Sequence, residues 1–327
     1  MPQKQIPIII TQPEYEKART EFDRAKGLVC IPAPFEEAAL ASAVGKQNAE
    51  HVICGMEHYR DELYEALPRG GVIARFGVGF DGIDLAKATK NGLLCTNTPE
   101  VLDDSVAEHA TALMLAAARH ITVLDGSTRS GSWIPKMGME LSGKRLAVIG
   151  AGSIGCRVAR VAAFGFGMVV IGCEIREVEW GAKKRTYGFH TLVKDFAEAV
   201  KDADVVSVHI PSTAATRHFI NRERLRQMAD KAWLINVARG AIVDEAALFD
   251  VLTNNGIAGA ALDVFETEPY RPIDLAKDLR TLPNVILTPH VASNTVEANQ
   301  RMARRALRNI VLAGQNALDQ MDLLNRP

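Results

Sequence analysis

Short apolar runs alternate along the chain with longer stretches whose apolar residues recur at helical spacing. The runs fall at 6–10 (IPIII), 28–31 (LVCI), 51–54 (HVIC), 71–76 (GVIARF) and 93–96 (LLCT), and the helical spacing at 15–26, 35–49, 56–66 and 83–91. Strands alternating with helices predict a parallel sheet covered on both faces. An Ala-rich stretch then predicts one long helix over 103–124, with Asp103 or Asp104 as its N-cap. Beyond it the alternation resumes. Runs at 205–210, 232–237, 258–265 and 284–289 read as strands, 192–200, 222–228 and 245–255 as helices, and 295–313 as a closing amphipathic helix. The second half is therefore expected to be a doubly wound α/β domain in its own right.

That second domain opens on residues 144–174, KRLAVIGAGSIGCRVARVAAFGFGMVVIGCE. An apolar run meets Gly150, Gly152 and Gly155 in G-x-G-x-x-G spacing, followed by a helical pattern and a second apolar run that ends on Glu174. This is the arrangement that holds a dinucleotide. Gly150 makes the tight turn, Gly152 lets a pyrophosphate approach the backbone, and Gly155 lets helix and strand pack closely. The pyrophosphate would meet free amides at a helix N-terminus. Glu174 is placed to accept hydrogen bonds from a ribose diol and to repel a 2′-phosphate, which favours NAD over NADP. Arg176, two residues on, keeps NADP open.

Composition narrows the partners. The chain has 327 residues, enough for two domains, and 38 Lys plus Arg against 39 Asp plus Glu give it a net charge of -1. That balance gives no electrostatic case for nucleic acid or for an acidic membrane, and no apolar stretch is long enough to span a bilayer. Cys30, Cys54, Cys95, Cys156 and Cys173 are odd in number and form no C-x-x-C pair, so they read as reduced core thiols of a cytoplasmic protein, with no metal site. The small-residue faces of the predicted 103–124 helix suit an interface between domains or subunits, so a homodimer through that helix is expected.

Polar residues gather where the later strands end, the edge at which open α/β sheets bind ligands. Arg239 offers a planar fork for a carboxylate and its neighbouring carbonyl. His290 offers a proton donor that works near neutrality. Glu268 is a carboxylate that could orient that imidazole. Each alone has a plainer reading, as an ion pair, a capping His or a turn; the shared placement makes the set a candidate for hydride transfer to a 2-oxo acid. His109 and His120 lie on the predicted long helix, and His51, His58, His190 and His218 read as structural or exposed.

In order and spacing, GAGSIG with Glu174, then DADVVSVHIPSTAATRHFIN, INVARGAIVDEAAL, AALDVFETEP and NVILTPHVASNT, resemble the D-isomer-specific 2-hydroxyacid dehydrogenase family. VIARFGVGFDGID and TPEVLDDSVAEHATALML extend the likeness back to about Val72. The resemblance implies a Rossmann NAD-binding domain (102–290) inserted into a flavodoxin-like substrate domain (1–101 and 291–327). It implies Arg239, Glu268 and His290 as catalytic residues, and Phe76, Gly77, Val78 and Gly79 as the loop that meets the substrate carboxylate. Ser153 and Ile154 match the phosphate turn, His209, Pro211 and Thr216 the nicotinamide-side loop, Val237 and Asp263 the carboxamide region, and Val106 a helix residue bordering the cofactor. The expected activity is NADH-dependent reduction of a small 2-oxo acid such as glyoxylate or hydroxypyruvate. A non-catalytic NAD-sensing corepressor and a phosphite dehydrogenase are the alternatives.

Overall fold

The computed structural model describes residues 5–177 and 179–326. The chain divides into two compact units: residues 1–102 with 294–327, and residues 103–293.

In the first unit five parallel strands, β1 (Ile6–Thr11), β2 (Leu28–Ala33), β3 (His51–Cys54), β4 (Val72–Arg75) and β5 (Leu94–Thr96), lie in the order β2-β1-β3-β4-β5. This is the flavodoxin-like order, with its switch point between β1 and β3. Every residue of β3, β4 and β5 is buried, which explains why these strands read as unbroken apolar runs. The core joins Ile9, Val52 and Ile73 of the sheet to Leu40, Val44, Leu63 and Tyr64 of the helices. Burying an aliphatic side chain of this size contributes about 1.5–3 kcal/mol. The helix Val296–Gly314 belongs to this unit and packs on β4. Its buried Asn309 and its Arg305 hold Asp322 of the closing segment, the arginine through two bonds of 2.6 Å. Asn325 Oδ1 then accepts the Cys95 amide at 2.7 Å, tying the chain end to β5.

The second unit holds seven parallel strands: β6 (Arg145–Ile149), β7 (Val169–Cys173), β8 (Phe189–Val193), β9 (Val205–Val208), β10 (Trp233–Asn236), β11 (Gly259–Leu262) and β12 (Val285–Leu287). Their order, β12-β11-β10-β9-β6-β7-β8, is the dinucleotide-fold order extended by one strand. The strand sequence reverses between β6 and β9, so the carboxyl ends of those two strands open the crevice where ligands of such sheets bind.

Four predicted helices differ from the sequence reading. The predicted helix over 103–124 is two helices, Asp103–Ala118 and Ile121–Arg129, parted at His120, whose φ is 53°. The cause is the segment that folds back beneath the break. The Met139 amide takes the Ala118 carbonyl at 2.8 Å, the acceptor that a continuing helix would need, and the Met137 carbonyl sits 3.1 Å from His120 Nε2. The predicted helix over 192–200 is β8 followed by a short helix, Phe196–Val200, capped by Asp195, whose side chain accepts the Glu198 amide. The predicted helices over 15–26 and 56–66 are shorter: Gln12–Lys17 and Arg19–Asp23 break at Ala18, and only Glu62–Ala66 of the second is helical.

Candidate active site and cofactor cradle

The glycine turn follows β6 directly. Gly150 has φ 99°, a conformation closed to most side chains, and a Cβ there would lie 2.7 Å from the His209 carbonyl oxygen. The turn is held by the Gly150 amide on the Cys173 carbonyl (2.9 Å) and the His209 amide on the Ile149 carbonyl (2.7 Å), which join the ends of β6, β7 and β9. A Cβ on Gly155 would overlap the Gly150 carbonyl oxygen, so glycine is what lets the helix start this close to the strand. At Gly152 a Cβ would meet nothing nearer than 3.8 Å, an open approach to the backbone. The helix Ser153–Arg160 has no side-chain cap, and the Ser153 and Ile154 amides find no acceptor among the described residues. Unpaired amides beside an open glycine suit a pyrophosphate, so the residues fit the cofactor that the motif implies.

Glu174 ends the next strand and is 4 % exposed, but its carboxylate is not vacant. Arg176 binds it through its amide (3.0 Å), Nε (3.0 Å) and Nη2 (2.6 Å), engaging both oxygens. Burial pulls Glu174 upward; the Arg176 hydrogen bonds and charge outweigh it, and the carboxyl is held below its usual range. Lys183 reaches back to the Ala151 carbonyl of the glycine turn.

The remaining residues gather on the ends of β9 to β12. His209 contacts Ser207 Oγ at 2.8 Å, and burial pushes its imidazole down to about 4, so it is neutral. The hydroxyl of Thr216 donates to the Pro211 carbonyl at 2.7 Å and accepts the Thr213 amide at 2.8 Å, shaping that loop. Val106 and Val237 are buried. Asn236, fully buried, donates to the Arg239 carbonyl (2.9 Å) and accepts the Ala238 amide (3.1 Å), so it folds the loop that carries Arg239. Next to that arginine, a Cβ on Gly240 would overlap the Phe265 carbonyl group, so the Arg239 loop lies directly on the loop that carries Glu268.

Glu268 and His290 are brought together: His290 Nδ1 lies 2.7 Å from Glu268 Oε2, while Glu268 Oε1 accepts the Phe265 amide at 2.9 Å. The carboxylate thus selects the tautomer with its proton on Nδ1 and leaves Nε2 for chemistry. His290 itself has φ 51° and donates its amide to the Asp263 carbonyl at 2.7 Å. The buried Asp263 carboxylate collects Thr288 Oγ1 (2.6 Å) and the Val291 (2.9 Å) and Ala292 (2.8 Å) amides, with His109 Nε2 at 3.4 Å. Burial raises Asp263, but these bonds, His109's first among them, bring it below its usual range. Asp263 therefore holds the segment around His290, through the Thr288 hydroxyl before it and the Val291 and Ala292 amides after it. The sequence gives no role to Asn236, Thr288 or His109, because no spacing marks a side chain that works by bonding to a neighbouring loop.

In the first unit, the loop after β4 contains Phe76, Gly77, Val78 and Gly79. The Phe76 and Gly77 amides are taken by the Cys54 and Arg75 carbonyls, at 2.9 and 3.0 Å, and Asn97 holds the Val78 carbonyl at 2.7 Å. The Val78 and Gly79 amides have no acceptor among the described residues, so they are the two that this loop can offer to a carboxylate.

Residues 111–292 match the family model described as "D-isomer specific 2-hydroxyacid dehydrogenase, NAD binding domain". A glyoxylate reductase of Pyrococcus furiosus is 40 % identical over 264 residues, 78 % of this chain and 76 % of that protein. Among solved structures, D-lactate dehydrogenase from Aquifex aeolicus, complexed with NAD and lactic acid, superposes with a TM-score of 0.84 at 29 % identity, covering 98 % of this chain and 99 % of that one. An NADPH-dependent glyoxylate/hydroxypyruvate reductase from Sinorhizobium meliloti gives a TM-score of 0.80 at 28 % identity over 98 % and 97 %. The chain belongs to the D-isomer-specific 2-hydroxyacid dehydrogenase family, and is an oxidoreductase that acts on 2-hydroxy acids with a nicotinamide cofactor.

Proposed function

We propose that the chain reduces a small 2-oxo acid, glyoxylate or hydroxypyruvate, to the D-2-hydroxy acid with NADH, and that His290 donates the proton. The observation that carries this reading is the 2.7 Å contact between His290 Nδ1 and Glu268 Oε2, on a loop that rests against the Arg239 loop. Arg239 binds the substrate carboxylate and polarises the adjacent carbonyl through its fork. His290, aligned by the contact of its Nδ1 with Glu268, gives its Nε2 proton to the carbonyl oxygen. The Val78 and Gly79 amides are the donors that the loop of the first unit would offer to a substrate carboxylate. When bound, the reduced nicotinamide supplies the hydride. Gly150, Gly152, Ser153, Ile154 and Gly155 hold its pyrophosphate, Glu174 its ribose, and Val106, His209, Pro211, Thr216, Val237 and Asp263 border it. The preference for NADH rests on Glu174, and Arg176 on that carboxylate softens the refusal of NADPH.

Glyoxylate reductase relatives at about 40 % identity support the substrate class. A panel of glyoxylate, hydroxypyruvate, pyruvate and phosphite, run with both nucleotides, tests the reading. Turnover on phosphite alone, or no turnover at all, would overturn it. The five free cysteines favour a reducing cytoplasm. The homodimer is proposed to form through the helices at 103–129 and the segment after them, where Leu115, Trp133, Ile134 and Met137 are exposed, the last at 92 %. Sedimentation of wild type against a Trp133→Ser, Met137→Ser variant tests it; a monomeric wild type refutes it.

A further inference from the structure

A second pair of carboxyl groups, which the mechanism above does not use, stands behind Glu268. Glu245 is the first residue of the helix Glu245–Thr253 and is 5 % exposed. Its amide donates to Glu266 Oε1 at 3.2 Å, and the Glu266 amide donates to Glu245 Oε1 at 2.6 Å, a reciprocal clasp between the helix start and the loop after β11. The other oxygen, Glu245 Oε2, is buried and has no hydrogen-bond partner among the described residues. Glu266 is better provided for, since His218 Nε2 at 2.6 Å and Arg217 Nη2 at 3.4 Å face its Oε2.

Two enclosed carboxyls this close do not both ionise unless each has its own cation. The fixed cation here, Arg217, and the His218 imidazole are both on Glu266. An unpaired oxyanion in a dry site costs far more than an unpaired hydroxyl, so the proton resides on Glu245. The surrounding charges agree: burial, then the negative charges of Glu266 and Glu268, push Glu245 up to about 7 against the opposing pull of the Glu266 amide and His218. The loop is thus held at two successive amides, Phe265 by the Glu268 carboxylate and Glu266 by Glu245.

We propose that Glu245 is a positioning residue: as a neutral carboxyl group it clamps the Glu266 amide and so keeps the loop in the shape that presents Glu268 to His290. The inference rests on the reductase reading of Arg239, Glu268 and His290, and its test includes a measurement independent of turnover. Glu245→Ala and Glu245→Gln are compared with wild type for kcat and KM on the 2-oxo acid and for nucleotide affinity. Their glutamate side-chain carboxyls, labelled with carbon-13, are titrated by NMR. Removing the clamp should lower kcat about 10- to 100-fold, as a misplacement of under an ångström does, with nucleotide affinity unchanged. Gln keeps the acceptor without a charge and should restore kcat at neutral pH. One carboxyl resonance titrating near 7 should vanish in Glu245→Gln. Wild-type kcat in a folded Glu245→Ala, a folded Glu245→Gln as slow as the Ala variant, or a Glu245 resonance titrating in the ordinary glutamate range would each overturn the proposal. Should the Ala variant fail to fold, the Gln variant and the NMR titration decide. A wild-type chain inactive on every 2-oxo acid would sink the reductase reading instead, and the titration would still judge Glu245.

Discussion

Replacing Arg176 with Ala should sharpen the proposed preference for NADH over NADPH. In the folded chain three donors of Arg176 occupy the Glu174 carboxylate, which sits 4 % exposed at the end of β7, whereas the arginine side chain is 65 % exposed. The amide at 176 survives the substitution; the two guanidinium bonds and a full positive charge do not. A unit charge about 5 Å from a 2′-phosphate contributes about 3 kcal/mol at an effective dielectric near 20. Solvent screening of so exposed a side chain takes away roughly half. The remaining ~1.5 kcal/mol corresponds to about a tenfold change in affinity ratio. The assay is fluorescence titration of wild type and Arg176→Ala with NADH and NADPH at low and high salt. Work at mildly alkaline pH keeps Glu174 ionised after it loses the partner that holds it below its usual range. NADPH should weaken about tenfold relative to NADH, with a smaller change at high salt. An unchanged ratio, or one that moves toward NADPH, would refute the idea that Arg176 tempers the acid.

Arg239→Ala and His290→Ala should each cut turnover by about two to four orders of magnitude while nucleotide affinity holds, measured by steady-state kinetics beside binding titrations; near-wild-type turnover in either would remove it from the mechanism. Gly155→Ala, whose Cβ would overlap the Gly150 carbonyl, should lower the melting temperature and abolish cofactor-induced stabilisation. His51 is buried and its Nδ1 accepts the Val72 amide at 3.1 Å, so the fold needs it neutral, and burial holds its imidazole below the ordinary value against a smaller upward pull from Glu50. A depressed folded value means that its contribution is complete above about 6.5 and is lost as the pH falls through the folded value. Denaturant titrations should therefore show His51→Phe less stable by about 1–3 kcal/mol at neutral pH, with the gap narrowing in acid; a gap that widens in acid would refute this.

The central strands were legible because burial on both faces leaves nothing but apolar residues: β3 and β4 are buried at every position, and their runs in the sequence coincide with them to within two residues. The edge strand β8 escaped for the opposite reason. Its His190 is exposed and Thr191 half-buried, so Phe189–Val193 carries too broken an apolar pattern to separate from the helix that follows. The break at His120 could not be read from 103–124, since what stops the first helix is a backbone amide about twenty residues further on. At the site, residue types and strand ends suggested Arg239, Glu268 and His290. What sequence could not supply was pairing: that Arg176 closes on Glu174, that Asp263 faces inward to anchor the backbone at His290, and that Glu245 clasps Glu266.

The contact at Gly240 bears on how such an enzyme can be altered. With no side chain between the Arg239 loop and the Phe265 backbone, those two loops share one surface and neither can shift without the other. Arg239 and Glu268, proposed to serve the part common to every 2-oxo acid, are thereby withheld from gradual adjustment. Any side chain introduced at 240 would therefore displace both loops at once.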